Sequence, residues 1–249
     1  MSKKHFTIVI LAYNCEQWVE KCLGSAINQD YSNYDIVFVD DASTDATGTI
    51  AGDLMKDWDS EKGTIEITHN SKNVKALENL YNSVQQSKPE TVIVALDGDD
   101  WLLNSQVLQH MNKVYENEDV WITAGSYIES VGGRVVRPRV TMGYWNGNIR
   151  HKEWTFSHLR TFKRELFLNI KKQDMIDRDG DFFKFTWDRV IMYPMVEMAG
   201  QEHFKPINKI QYVYNRENPL AVDVVHRQDQ LRIESVLRNK NQYEQLEEL

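Results

Sequence analysis

Two periodicities of apolar and polar positions alternate along the first half of the chain. Phe6-Thr7-Ile8-Val9-Ile10-Leu11 is a short, nearly continuous run of apolar and β-branched residues, the pattern of a strand covered on both faces. Asn14 then offers a helix cap, with Gln17 three positions on as its capping-box partner, and Trp18, Val19, Cys22, Leu23, Ala26 and Ile27 form one apolar stripe at helical spacing. The alternation recurs three times. Residues 35–39 read as a strand, followed by Asp45 as a cap for a helix carrying Ile50, Leu54, Met55 and Trp58. Residues 64–68 lead to a helix with Leu77, Leu80, Tyr81 and Val84, and residues 92–96 to one with Val107, Met111 and Tyr115. Parallel strands joined by crossover helices satisfy such an order, which predicts an α/β fold with a mostly parallel central sheet flanked by helices.

Beyond residue 120 the alternation stops. Residues 121–128 read as a strand and Gly132-Gly133 as a hairpin turn, while 140–157 hold scattered aromatics with no clear period. A helix is expected over much of 165–171. A longer apolar one begins near Thr186-Trp187-Asp188, is bent or broken at Pro194 and ends at Gly200. Residues 210–214 read as a late strand, and the polar tail from Arg227 as an exposed amphipathic helix. The change of pattern separates 1–130 from 131–249, two halves of what reads as one compact domain.

With 249 residues, 41% of them hydrophobic, the chain is long enough for a single large core. No stretch approaches the ~20 apolar residues of a membrane helix, and MSKKHFTIVI passes from two lysines straight into a strand. Cys15 and Cys22 are placed for neither a local bridge nor a metal clip and read as reduced, half-buried thiols. A cytoplasmic protein is expected, with peripheral attachment to a membrane left open. The net charge of −8 argues against nucleic acid as a partner, and Arg134, Arg137 and Arg139 read first as solvated hairpin residues.

Ligands of open parallel sheets bind beyond the carboxyl ends of the strands, which directs attention to residues 11–14, 40–45 and 97–100. The last of these follows a buried-strand pattern with three carboxylates in four positions, in ALDGDDWL. Residues two apart on an extended segment project to one side, so Asp97 and Asp99 converge, while Gly98 lets backbone and ligand come close. Two carboxylates so placed repel unless a cation lies between them, and oxygen-only ligands suit Mg²⁺ or Mn²⁺. Asp100 or Asn104 then remains to cap the next helix. The first strand-to-helix turn, AYNCEQW, holds no glycine-rich phosphate loop, which counts against dinucleotide-dependent dehydrogenases and P-loop enzymes.

Together FTIVILAYN, VDDASTD, ALDGDDWL and WDRVIMYPMVEMAG followed by YVYNRENP resemble the family 2 glycosyltransferases of the GT-A fold, over most of the chain to about residue 220. The resemblance implies a Rossmann-like sheet with a C-terminal acceptor-side region, a nucleotide-diphospho-sugar donor that is usually UDP-linked, and a Mn²⁺ or Mg²⁺ ion. It also implies inversion at the anomeric carbon and a glycan or glycoconjugate acceptor. Carried over position by position, Leu11 and Tyr13 would line the base pocket and Asp41 would accept a hydrogen bond from the base imide. Asp97 and Asp99 match the family's metal-binding pair, with Gly98 beside the donor. Lys75 stands where relatives often have the glycine of Asn-x-Gly; it would reach base or phosphate, or stay on the surface. Asp188 corresponds to the base that takes the acceptor proton, its alternative role being a helix cap. His226 falls where some relatives bring a late histidine to the metal or diphosphate. His158 and Arg160 resemble an acceptor-side stretch, and Trp187, with Trp101, Trp145 and Trp154, offers a ring for stacking on sugars or packing in the core. Two other readings stay open: a nucleotide-sugar binding module without turnover, and a sugar nucleotidyltransferase, which would need a glycine-rich basic loop after the first strand.

Overall fold

The structure, a computed structural model, describes residues 3–219 and 225–249. Its first half alternates as expected: β1 (Phe6–Ala12), α1 (Val19–Ile27), β2 (Tyr34–Asp40), α2 (Thr47–Leu54), β3 (Ile65–His69), α3 (Ala76–Gln86) and β4 (Val92–Asp97). These four strands are parallel, in the order β3-β2-β1-β4. Every residue of β1 is buried because its two faces enter different cores. Phe6, Ile8 and Ile10 pack with Val19, Cys22 and Leu23 of α1, whereas Val9 and Leu11 pack with Leu77, Leu80 and Val84 of α3. A strand with two apolar faces has no polar alternation to show, which is why it reads as a continuous run.

The rest of the chain extends the same sheet with β5 (Trp101–Leu102), β6 (Ile122–Glu129), β7 (Val135–Val136), β8 (Arg160–Lys163) and β9 (Phe204–Tyr214). The helices α4 (Val107–Tyr115), α5 (Arg164–Leu168), α6 (Trp187–His203) and α7 (Arg227–Arg238) flank it. β8 runs antiparallel between β4 and β6, β9 pairs with β6 in parallel, and β5 pairs antiparallel with β9. Thus the two residues directly after the acidic turn are stitched to a strand more than a hundred positions away, Trp101 facing Val213.

Three local expectations are altered. Asn14 does not cap α1: it adopts a left-handed backbone (φ 48°), and its Oδ1 accepts from the Thr44 N–H at 2.8 Å while its own N–H donates to Ser43 Oγ. It laces the β1–α1 and β2–α2 loops together, and α1 begins later, at Val19. Asp45 does accept from an N–H at the head of α2, that of Thr47. The helix expected over 165–171 covers only Arg164–Leu168, followed by a tight 3₁₀ turn at Lys172–Met175. Pro194 does not break α6, whose residues from Val190 to Ala199 are all buried; the interruption falls at Gly200, with φ 60° and ψ −169°. Packing all round the helix outweighs the hydrogen bond that the proline removes.

α6 is fastened to the C-terminal segment by a buried ion pair. Arg150 Nε and Nη2 donate to Glu197 Oε1 and Oε2, both at 2.6 Å, with each side chain 2% exposed. Arg150 Nη1 also donates to the Leu237 carbonyl at the end of α7, and Glu197 Oε2 accepts from the Tyr243 N–H. Among the described residues no helix is long and apolar enough to cross a membrane.

Candidate functional site

The register of the parallel strands sets Ala12 beside Asp40 and Leu11 beside Asp97, so the loops after β1, β2 and β4 leave the sheet at one level. They open onto a cavity of about 540 Å³, closed opposite by residues 184–188 ahead of and within α6, by Tyr214 at the end of β9 and Asn218 beyond it, and by His226 just ahead of α7 and Gln230 within it. That volume is in the range of sites for cofactor-sized ligands. Gly98 is needed for the closeness of the loops: a Cβ there would lie 2.7 Å from Ala12 Cα.

On one side the cavity is a slot. Asp41 is buried, its Oδ1 accepting from Asn70 Nδ2 (2.8 Å) and the Val74 N–H (2.9 Å), its Oδ2 from the Lys75 N–H (2.8 Å). Leu11 is nearly buried at the base of the slot, and Tyr13, 48% exposed, forms its wall with Lys75 Nζ 5.7 Å from the ring centre. Lys75 has a φ of 77°, a conformation that costs a side chain and not a glycine, which accounts for the glycine expected there. The neighbouring Asp40 is a turn former, accepting from the Ser43 N–H and facing His69 Nδ1. Of the VDDAS pair, therefore, one carboxylate builds the loop and the other faces the cavity.

The three acids of the turn have different surroundings. Asp100 does not cap α4. It is 1% exposed, and its oxygens accept from the Tyr212 hydroxyl (2.6 Å) and the Asn215 N–H (2.7 Å). Asn104 takes over at the approach to α4, accepting from the Gln106 N–H. Asp99 Oδ2 accepts from Asn218 Nδ2 at 2.7 Å. Asp97 keeps about a quarter of its side chain open, at 26%. Burial pushes its carboxyl up to about 7; the Arg160 cation opposes that rise, and the charges of Asp99 and Asp188 add to it. Asp97, Asp100 and His158 offer ligand atoms all within 4.8 Å of one another, so this end of the cavity can hold a metal ion. Hard carboxylate oxygens and a surplus of negative charge suit a divalent cation. His158 is the least available of the three. Burial, and then the Arg160 charge, hold its imidazole neutral well below the usual range, and its Nδ1 takes a hydrogen bond from Arg160 Nη1 at 3.2 Å. Its ring stacks on Tyr212 and Tyr214 at 4.5 and 5.2 Å.

Across the cavity Asp188 occupies the first turn of α6, but its carboxylate does not close back on the helix: Oδ2 accepts from Arg160 Nη2 at 2.9 Å. Arg160 lies over Trp187 at 5.3 Å from the ring centre. His158 and Arg160 thus lie in the wall beneath the cavity, with Trp187 on its lining. His226 reaches the cavity too, stacking on Phe185 at 4.3 Å, yet stands outside the Asp97–Asp100–His158 group. Trp101 lies buried under Lys21, and Trp145 and Trp154 pack on Phe204, Phe156 and Tyr193, so of the four tryptophans Trp187 alone lines this cavity. Sequence reasoning missed Asn73 and Thr186. Both line the cavity, and each has a buried side-chain oxygen, Oδ1 and Oγ1 respectively, with no protein partner. The visible signal for Thr186 was its place two residues ahead of Asp188; for Asn73 there was only the Asn-x-Gly comparison.

Comparisons with known proteins agree with this geometry. The model of the family described as Glycosyl transferase family 2 matches residues 7–181. The uncharacterized glycosyltransferase EpsJ of Bacillus subtilis is 26% identical over 224 residues, covering 86% of this chain and 61% of that protein. The poly(ribitol-phosphate) beta-glucosyltransferase of Bacillus spizizenii is 33% identical over 132 residues, 52% of this chain and 20% of that one. The chain therefore spans about three fifths or less of the length of these relatives. Among solved structures, S. aureus TarS 1–349 in complex with UDP-GlcNAc aligns with a TM-score of 0.64 at 15% identity, over 97% of this chain and 68% of that one. The mannosyltransferase PcManGT from Pyrobaculum calidifontis, in complex with GDP-Man and Mn²⁺, aligns with a TM-score of 0.63 at 18% identity, over 98% and 66%. The expected GT-A architecture, a curled and mostly parallel sheet with flanking helices, is the fold these neighbours share.

Proposed function

This chain belongs to glycosyl transferase family 2, and on that premise we propose that it moves a sugar from a UDP-linked donor to a hydroxyl of a glycan or glycoconjugate, with inversion and with a divalent metal ion. The observation that carries this reading is the gathering of Asp41, the Asp97–Asp100 turn and Asp188 around one cavity. Asp41 would receive the imide N–H of the base, with Tyr13 and Leu11 against the ring. A carboxylate facing an N–H favours uracil. Guanine also carries such an N–H, in keeping with a neighbour bound to GDP-Man. Asp97 and Asp99 would hold Mn²⁺ or Mg²⁺, with Asp100 and His158 alongside, and Gly98 leaves room for the donor. When bound, the ion would neutralise charge on the departing diphosphate. Asp188 would take the proton of the attacking hydroxyl, His158, Arg160 and Trp187 lying on that side. The acceptor reading draws on relatives named for sugar transfer to poly(ribitol phosphate) and for polymerising poly(glycerol phosphate).

Release of UDP from a panel of UDP-sugars, with and without Mn²⁺, tests the proposal. Metal-stimulated release that is abolished by Asp97→Asn and Asp188→Asn is expected. Equal donor binding in EDTA would refute the part given to the metal, and donor-dependent thermal shifts without any turnover would refute transfer in favour of a binding module.

A further inference from the structure

Two of the contacts that α6 makes between an arginine and a carboxylate differ in geometry. Arg150 grips both oxygens of Glu197, and the two side chains are equally buried at 2% exposure. Arg160 touches a single oxygen of Asp188; its own side chain is 4% exposed whereas that of Asp188 is 22% exposed and faces the cavity. The guanidinium is fixed from three directions. Nε donates to the Phe156 carbonyl at 3.1 Å, Nη1 to His158 Nδ1 at 3.2 Å and Nη2 to Asp188 Oδ2 at 2.9 Å. A planar fork held at three donors cannot swing. The His158 ring that receives Nη1 is itself held in place, edge-on to Tyr127 at 5.7 Å and stacked on Tyr212 at 4.5 Å. The same imidazole nitrogen stands 3.9 Å from Asp97 Oδ2, so one small group of side chains spans the distance from the acidic turn to the first turn of α6.

From this geometry we infer that Arg160 is a positioning residue for Asp188. It binds Oδ2 and leaves Oδ1 as the one oxygen turned to the acceptor hydroxyl, with His158 as the buttress that sets the plane of the guanidinium. The inference rests on the proposed role of Asp188 as base. An arginine that only filled the core would be indifferent to the state of Asp188; one that bound the donor diphosphate would reveal itself in donor affinity.

The test is a double-mutant cycle with Arg160→Lys, Asp188→Asn and the combined variant, on the full chain. It reads kcat, donor KM and melting temperature, using whichever UDP-sugar of the panel gives the fastest Mn²⁺-dependent release. Lysine keeps the charge and loses the fork. Arg160→Lys is expected to lower kcat on the order of 10- to 100-fold, the scale of a misplaced catalytic group, with donor KM changed less than about threefold. In the Asp188→Asn background the same change should alter the residual rate less than about threefold, because its target has lost its role. Melting temperature should fall too little to unfold the chain at the assay temperature, and Arg160→Met repeats the cycle should lysine find its own contacts. Losses that multiply in the double variant, or a rise in donor KM at constant kcat, would overturn the inference while leaving Asp188 as base. If Asp188→Asn keeps full activity, the reading of the base falls, and the inference with it.

Discussion

The interior holds two charged clusters that invite comparison: the Arg150–Glu197 pair and the acids around Asp97. In the first, one guanidinium meets one carboxylate through two parallel hydrogen bonds, and remaining donors and acceptors go to Leu237 and Tyr243. Charge and hydrogen bonding are both balanced, and the result is a fastening between α6 and the C-terminal segment. In the second, Asp97, Asp99 and Asp188 outnumber Arg160, and the Asp97 carboxyl is driven upward by burial. A buried cluster with its charges matched serves architecture; one left with surplus charge beside a cavity is prepared for something that the chain alone does not supply.

Breaking each cluster should have different consequences. The largest effect is expected for Asp188→Asn, a loss of roughly 10²- to 10⁴-fold in kcat with little change in melting temperature, measured as UDP release. Next comes Arg150→Met, which strands Glu197 in the core. Urea unfolding should show a loss of about 3–5 kcal/mol, with kcat of the still-folded fraction near normal.

Asp97→Asn should act in the opposite sense on stability. A carboxyl held up to about 7 is harder to ionise in the folded than in the unfolded chain. The metal-free protein therefore loses stability as pH rises from the ordinary carboxylate range toward 7, and carries the whole penalty above it. Removing the charge should stabilise the metal-free protein at pH 8 on the order of 2 kcal/mol, a figure reduced for the open quarter of the side chain, and do nothing near pH 3. Thermal melts in EDTA at the two pH values check this, and Mn²⁺ should stabilise only the parent protein at pH 8. The smallest effect is expected for Lys75→Gly. Relief of the left-handed backbone should add about 0.5–1 kcal/mol of stability while retaining the N–H that Asp41 accepts. Donor KM, compared with the parent, then shows whether the lysine side chain has any part in binding.

The same contrast explains what the sequence made legible. β1, β2 and β4 could be read because each is a local apolar run, and Leu11, Tyr13, Asp41, Gly98, Asp97 and Asp188 all reach the cavity. The task of Asp100 could not be read, since its partners Tyr212 and Asn215 lie 112 and 115 positions away. The two-residue β5 carries no period, and it exists because β9 returns to meet it. That three tyrosines supplied by β6 and β9 enclose His158 could not be read either, since they come from strands far along the chain. Nor did periodicity distinguish Asn14 as a cap from Asn14 as a lace between loops, because both roles place a polar residue after a strand.

With a base seated on Asp41 as proposed, that carboxylate has a further consequence for which ligands the cavity would refuse. Its two oxygens have about four acceptor directions between them, and Asn70, Val74 and Lys75 take three. A single direction remains, and it asks for a proton. Cytosine presents a lone pair at the ring position where uracil carries its hydrogen, so a CDP-linked sugar seated in the same pose would set lone pair against carboxylate and be turned away by repulsion, although it fits the space equally well.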